Sequence, residues 1–316
     1  ASIIFILIGA PLGMMARKGG FAVSMAFSLG FFIIYWVFLI SGEEFADRGL
    51  LSPVLSMWLP NLVLGAFGIF ICYCQSLEQR YINLDSLGFL TSDYIHNEDS
   101  LIDKTSAVLK NGKIVAWFQG RMEFGPRALG HRSITGNPQN PEMQKRMNLK
   151  IKFRESFRPF APMVLEEKAS EWFEIKPDQT SPYMLLTTAV SENKCIPMSE
   201  IEKGLFGIEK LNVKRSEIPA VTHIDYSARV QTVSKTVNPK VHAMISEFEK
   251  LSGCPVLINT SFNIRGEPIV FTPFDALKVF MNTEMDVLVL ENCVLKKEDQ
   301  SGQLVDTKFK ENFALD

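Results

Sequence analysis

Phe21 to Ile40 is a run of twenty residues with no charged side chain. At about 1.5 Å per residue a helix of that length reaches roughly 30 Å, the thickness of a bilayer's hydrocarbon core. Leu51 to Cys74 is a second run of the same kind, interrupted by Pro53 and Pro60, and Ser2 to Met15 reads as the end of a third. Only Arg17, Lys18, Glu43, Glu44, Asp47 and Arg48 carry charge in the first 74 residues. One such run would fit a buried core helix; three with so few charges between them predict membrane spans. Arg17 and Lys18 lie between the first two spans, and the excess of basic residues in cytoplasmic loops places that loop inside. Everything after Cys74 is then cytoplasmic. The chain opens on Ala1 within an apolar segment and lacks a basic leader region, which reads as an internal start and not as a signal peptide.

The remaining residues are ordinarily charged, so the mean hydropathy of +0.08 averages two unlike blocks. A net charge of -2 argues against blanket attraction to nucleic acid. Local charge differs: from Lys113 to Phe160 ten Lys and Arg face three Glu, and such a stretch needs an anion. Five cysteines form no disulfide framework. Cys72 and Cys74 read as small residues of a helix, because zinc pairs are normally spaced by two to four residues.

From Asp103 onward helix and strand patterns alternate, as expected of a mixed α/β domain. Helices are expected at 103–110, 141–151, 238–252 and 273–282, the third with a polar start and Gly253 as its stop. Strands are expected at 114–118, 183–190, 228–233, 256–259 and 287–290.

Four strings concentrate the chemistry. In FQGRMEFGPRALGHRS, residues 118–133, Arg121, Arg127 and Arg132 share a loop with three glycines, a composition that lets backbone N–H groups and planar guanidinium forks face phosphate oxygens. In KIKFRESFRPFAP, Lys152, Arg154 and Arg158 fall within seven residues; composition alone fits a solvated basic face equally well. THIDYSARVQT carries His223 and Arg229, and a lone histidine is more often structural than catalytic. INTSFNIRGEPIV carries Asn259, Ser261 and Asn263, which share a face where the strand continues and would suit a ribose or phosphate; the alternative is a polar loop.

Together these strings resemble the C-terminal, YrdC-like domain of the O-carbamoyltransferases that modify antibiotics and nodulation factors, over about residues 84–296. The resemblance implies a YrdC-like mixed twisted sheet with flanking helices, preceded by the all-α transmembrane segment. It divides the chain into helices at 1–75, a linker at 76–100, the YrdC-like domain at 101–298 and a polar tail at 299–316. Lys152-Phe-Arg154 and Ser261-Phe-Asn263 fall on the family's nucleotide and phosphate signature. The implied activity joins carbamoyl phosphate and ATP into carbamoyl adenylate and pyrophosphate, usually with Mg²⁺. Lys152, Arg154 and Arg127 are then the candidate catalytic residues. Arg121, Arg132, Arg158, His223, Arg229, Asn259, Ser261 and Asn263 are the candidate binding residues, and no protein metal site is expected. The family's transfer half-reaction belongs to an actin-like domain with His metal ligands, which is expected here as a partner in trans.

Residues 3–70, from PLGMMARKGGF to GLLSPVLSMWLPN, resemble the last membrane helices of the lipopolysaccharide-export permeases. That implies an inner-membrane location with the α/β domain on the cytoplasmic side. It also leaves a second possibility, a permease remnant carrying a non-catalytic anion-binding domain.

Overall fold

A computed structural model describes residues 21–49, 52–78, 93–95 and 97–300. The expected span at Ser2–Met15, most of the linker and the tail beyond Gln300 lie outside these. The chain divides by its internal contacts into Ala1–Ile82 and Asn83–Asp316.

The first unit contains α1 (Phe21–Asp47) and α2 (Pro53–Glu78). Pro60 lies inside α2 without ending it. Proline has no N–H to donate, so the Ser56 carbonyl one turn back loses its helical partner. Gly42 on α1 packs against that carbonyl, where a Cβ would stand only 2.6 Å from the oxygen. Tyr35 Oη adds a hydrogen bond to Asn61 Oδ1 at 3.3 Å. A close glycine contact plus one interhelical hydrogen bond is how helices associate when no hydrophobic drive separates them from solvent. Leu29, Phe32, Trp36, Trp58 and Leu62 point outward and exposed. Of the two expected spans within the described residues, the stretch Pro53–Phe70 is long and apolar enough to cross a membrane.

The second unit is the expected mixed α/β domain. Its strands are β1 (Asp93–Tyr94), β2 (Val115–Phe118), β3 (Arg132–Gly136), β4 (Ala161–Leu165), β5 (Leu186–Ala189), β6 (Ser227–Val233), β7 (Val256–Ser261), β8 (Val287–Leu290) and β9 (Cys293–Lys296). They form one sheet in the order β1-β9-β8-β2-β3-β7-β4-β6-β5. The pairs β2–β8 and β4–β6 are parallel and the others antiparallel.

The main helices are α3 (Glu98–Lys110), α4 (Met143–Met147), α5 (Pro239–Ser252) and α6 (Pro273–Met281). Their ends follow local chemistry. Asn97 caps α3 one turn before the expected start, through its side chain on the Asp99 amide. Asn238 caps α5, and Gly253 ends it at φ +73. A reciprocal Thr272–Asp275 capping box opens α6.

The expected helix at 141–151 is corrected. After α4 the chain widens into a π turn, Asn148–Lys152, which Phe153 closes in the left-handed region at φ 47. The strand expected at 183–190 shortens to Leu186–Ala189. Strands β1, β3, β4 and β9 are absent from the expected set: β1 is a two-residue strand in the expected linker, β3 reads RSITG with a single large apolar residue, and β4 reads APMVL directly after a proline-rich loop.

The registers place all four motifs at one end of the sheet. That end holds the C-termini of β2, β7 and β8 and the N-termini of β3, β4 and β6, as Phe118↔Arg132, Ser133↔Ser261, Ala161↔Asn259 and Met163↔Gln231 require. Loops 119–131, 148–160, 222–226 and 262–270 all open from it.

Candidate functional site

The loop between β2 and β3 is held at several points. Arg132 is fully buried on β3; it donates Nη1 to the carbonyls of Gln119 (2.8 Å) and His131 (2.9 Å) and Nη2 to that of Gly120 (3.0 Å), and stacks over Phe118. Burial lowers its pKa to about 10, with Glu123 and Glu291 pulling the other way. Arg132, expected to bind phosphate, has both terminal nitrogens engaged on loop carbonyls here, while its buried Nε has no partner among the described residues.

Glu123 Oε1 accepts from the amides of Leu129 and His131, each at 2.7 Å. Burial raises the Glu123 pKa, but the hydrogen bonds from His131 and the loop amides outweigh it, and the net shift is downward. Glu291 Oε1 accepts from the Gly120 amide at 2.6 Å. From the sheet below, Asn259 Nδ2 donates to Ala128 O (3.0 Å) and to Gln231 Oε1 (2.6 Å), while Gln231 Nε2 donates to Leu129 O (2.9 Å). Gly130 sits at φ +119, where an added Cβ would lie 2.7 Å from Asn238 Nδ2 and 2.9 Å from Val241 Cγ2. A loop so braced can present Arg121 and Arg127 with little entropy left to lose on binding.

The second cluster forms around Lys152. Phe153 in the left-handed region turns the chain sharply, and the buried Lys152 ammonium meets four neutral oxygens: Ser261 O, Ser261 Oγ (3.4 Å), Asn263 O (3.0 Å) and Asn263 Oδ1 (2.9 Å). Burial, then the charge of Arg154, pushes the Lys152 pKa well below the ordinary lysine value. Asn148 organises this turn: its Nδ2 donates to Ser156 O and Arg158 O, and its Oδ1 accepts from Arg154 Nε at 2.7 Å. Arg154 lies over the Phe160 ring at 5.1 Å, and its terminal nitrogens bond to none of the described residues. Burial first, then Arg158, lowers the Arg154 pKa to about 10.

The third cluster joins the first loop to β6. Burial, then the charge of Arg127, lowers the Arg229 pKa, so the two guanidinium groups feel one another's charge. Neither has a carboxylate partner among the described residues. Like charges that disfavour one another in this way would be relieved by an anion.

Arg158 is paired to Glu155 (2.9 Å), a carboxylate also influenced by Arg265. His223 Nδ1 lies 3.0 Å from Asp225 Oδ1, and Asp225 is held at about 2, first by its bond from Ser227 Oγ and also by His223. His223 thus belongs to a structured turn ahead of β6. Ser261 Oγ donates to Asn263 Oδ1 at 2.7 Å, so the two meet although the strand ends at Ser261.

Sequence reasoning missed Glu123, Asn148, Gln231 and Glu291, which brace the cations or their loops. The one available signal was Glu123, a lone acid inside a strongly basic loop. An open depression of about 890 Å³, lined by Trp172, Glu174, Lys194 and Glu249 among others, contains no residue of the four motifs. Among the described residues no cluster of His, Cys, Asp and Glu could hold a metal ion.

Comparison with known proteins decides the family. The family described as "Carbamoyltransferase C-terminus" matches residues 106–297. The chain belongs to the carbamoyltransferase C-terminus family. Separately, residues 1–73 match "Lipopolysaccharide export system permease LptF/LptG". Among curated relatives, the nodulation protein NolO of Bradyrhizobium diazoefficiens is 40% identical over 66% of this chain and 35% of its own length. An uncharacterised Synechocystis protein, sll1178, is 57% identical over 71% of this chain and 36% of its own. The chain therefore spans about a third of the length of these curated relatives. A solved structure of HypF in its phosphate- and nucleotide-bound form matches at 18% identity with a TM-score of 0.38, covering 63% of this chain and 21% of that one, too loosely to carry weight.

Proposed function

We propose that this carbamoyltransferase-family domain carries out the adenylating half of an O-carbamoyl transfer on a membrane-anchored chain. Carbamoyl phosphate loses inorganic phosphate to water; the resulting carbamate oxygen attacks the α-phosphorus of ATP, the bond to the β-phosphate breaks, and pyrophosphate leaves. This step brings anions together and creates no covalent enzyme intermediate, so positioning and charge neutralisation are the protein's main tasks.

The supporting observation is that Lys152, Arg154, Arg127 and Arg229 lie on the loops and strand starts at one sheet end, while among the described residues only neutral oxygens contact Lys152 and no carboxylate contacts the other three. In this reading Lys152 and Arg154 act on carbamoyl phosphate or the α-phosphate. Arg121, Arg127 and Arg229 bind the remaining phosphates, and Ser261 and Asn263 orient Lys152 toward the nucleotide. Mg²⁺ would ride mainly on phosphate oxygens and water, as it commonly does with nucleotide substrates. An actin-like transferase domain in trans would pass the carbamoyl group to an acceptor hydroxyl. Arg17 and Lys18 support an inner-membrane chain with this domain on the cytoplasmic side.

The test is ATP–pyrophosphate exchange by the full chain in lipid nanodiscs. Exchange should appear only when carbamoyl phosphate is present. Exchange without it would overturn the assignment, and ATP binding with no exchange would favour the non-catalytic anion-binding alternative.

A further inference from the structure

Glu123 and His131 form a pair to which anion binding assigns no chemistry. His131 is pinned through its backbone: its amide donates to Glu123 Oε1 at 2.7 Å, and its carbonyl accepts from the Gln119 amide at 3.0 Å and from Arg132 Nη1 at 2.9 Å. Its ring is held on two sides. Nδ1 is sealed from solvent and stands 3.5 Å from Glu123 Oε1, and a Cβ on Gly120 would lie 3.6 Å from Cδ2. Yet the side chain is 35% exposed, so the open edge is the one that carries Nε2.

The tautomer follows from the partner. The Glu123 pKa is shifted downward, so Glu123 stays a carboxylate and can only accept. Nδ1 then carries the ring proton, and the Nε2 lone pair faces outward. A carboxylate behind a histidine in this way orients the ring and stabilises the imidazolium that forms when Nε2 takes a proton. The 3.5 Å separation is long for a hydrogen bond, as catalytic ones commonly are before substrate binds.

Register brings this ring to the cationic cluster. The β3–β7 pairing continues one step past its last strand partners, where the Phe262 amide donates to the Arg132 carbonyl at 2.8 Å. The next position sets His131 opposite Asn263, on the face that Ser133 and Ser261 share. Asn263 Oδ1 is itself 2.9 Å from the Lys152 ammonium.

Hydrolysis of carbamoyl phosphate needs a group to take a proton from water, and the arginines around the site have no lone pair for it. Resting on the adenylation reading, we propose that His131 is the general base of its water step, with Glu123 as the positioning residue behind it. The water oxygen bonds to the phosphorus of carbamoyl phosphate, and the phosphorus–oxygen bond to the carbamoyl group breaks. Carbamate leaves with that bonding pair. One water proton passes to His131 Nε2, and inorganic phosphate keeps the other. Lys152 and Arg154 neutralise the phosphoryl group meanwhile, and the freed carbamate is the nucleophile for ATP.

The test measures inorganic phosphate release from carbamoyl phosphate, with ATP present, by the full chain in nanodiscs. His131→Gln and His131→Ala should each lower kcat by about 100-fold or more, with KM for both substrates and the melting temperature near wild type. Added imidazole should restore part of the rate to His131→Ala and none to Lys152→Ala. Glu123→Gln keeps an oxygen for the Leu129 and His131 amides but loses the charge, and should lower kcat by a smaller factor. An unchanged kcat in both His131 variants would overturn the inference. So would a rise in KM alone, which would make the ring a binding group, or a loss in His131→Ala that imidazole leaves untouched, which would confine it to the loop's structure. Where His131→Ala does not fold, kcat and KM of His131→Gln decide. Wild-type release without ATP–pyrophosphate exchange counts against the adenylation reading and leaves this test standing, whereas absence of release from the wild type overturns the inference.

Discussion

The Lys152 ammonium stands 2.9 Å from Asn263 Oδ1, although 111 positions separate the two residues in the chain. All four of its contacts are neutral oxygens, so this amine is held inside the protein with no carboxylate partner among the described residues. Removing one partner of a matched buried ion pair usually destabilises. Under the proposed function the reverse is expected, because the missing partner would be the anionic substrate.

Lys152→Ala should therefore abolish exchange while leaving the melting temperature at or above the wild-type value. Loss of a charged donor from a closed site is expected to remove about 2–4 kcal/mol of transition-state stabilisation. A mutant that keeps full exchange would reduce the basic run to a solvated face.

Anion binding should also take up a proton. The free-site Lys152 pKa is lowered by burial and by Arg154, and an arriving phosphate reverses the second effect and opposes the first. Between the depressed value and the ordinary 10.5, the ligand-free lysine is largely neutral and the liganded one charged. In the same window the unfolded chain binds more protons than the folded one, so ligand-free stability rises with pH until 10.5 is passed. Calorimetry of pyrophosphate binding in two buffers of different ionisation enthalpy measures the uptake. It should vanish in Lys152→Met, and no buffer dependence at any pH in the window would contradict the account.

Arg154 and Arg215 are both substantially buried, but their duties differ. Arg215 lies outside the four motifs and donates to the carbonyls of Lys210 and Leu211 at the end of a short helix. Arg215→Ala should lower the melting temperature with little change in KM for ATP. Arg154→Ala should cut exchange and keep most of the stability, with exposed Lys145→Ala as the neutral reference. Equal effects of the two arginines on KM would remove the distinction.

Gly130→Ala should destabilise by roughly 1–3 kcal/mol, since it combines a left-handed backbone with a forced overlap. The methyl would meet Asn238 Nδ2 and Val241 Cγ2, which cap and begin α5. Urea unfolding measures the loss, and an unchanged midpoint would mean that α5 can retreat from the loop.

The sequence announced the elements whose causes are local. Asn238 and Gly253 bracket α5, and the apolar runs of β2 and β8 stand where expected. It also marked the cations that converge, because arginine beside glycine is a compositional signal. Strand β3 was hidden, since RSITG owes its burial to neighbours β2 and β7 and not to its own side chains. Arg132 shows the same limit within the site. Its charge is legible in sequence, but three carbonyls placed by the fold decide that it staples a loop. Asn148 and Glu291 gave no signal at all, because each acts on backbone brought to it from elsewhere.

The oxygens around Lys152 come from the far end of β7, which pairs with β3 and β4 only after most of the domain has been synthesised. Until then Lys152 is an ordinary hydrated lysine with an ordinary affinity for protons. Its altered basicity therefore arises with the long-range pairing of β7 and not with any local segment, and contacts so distant along the chain form slowly. An amine-selective reagent applied during refolding would read this one side chain as a clock for completion of the central sheet.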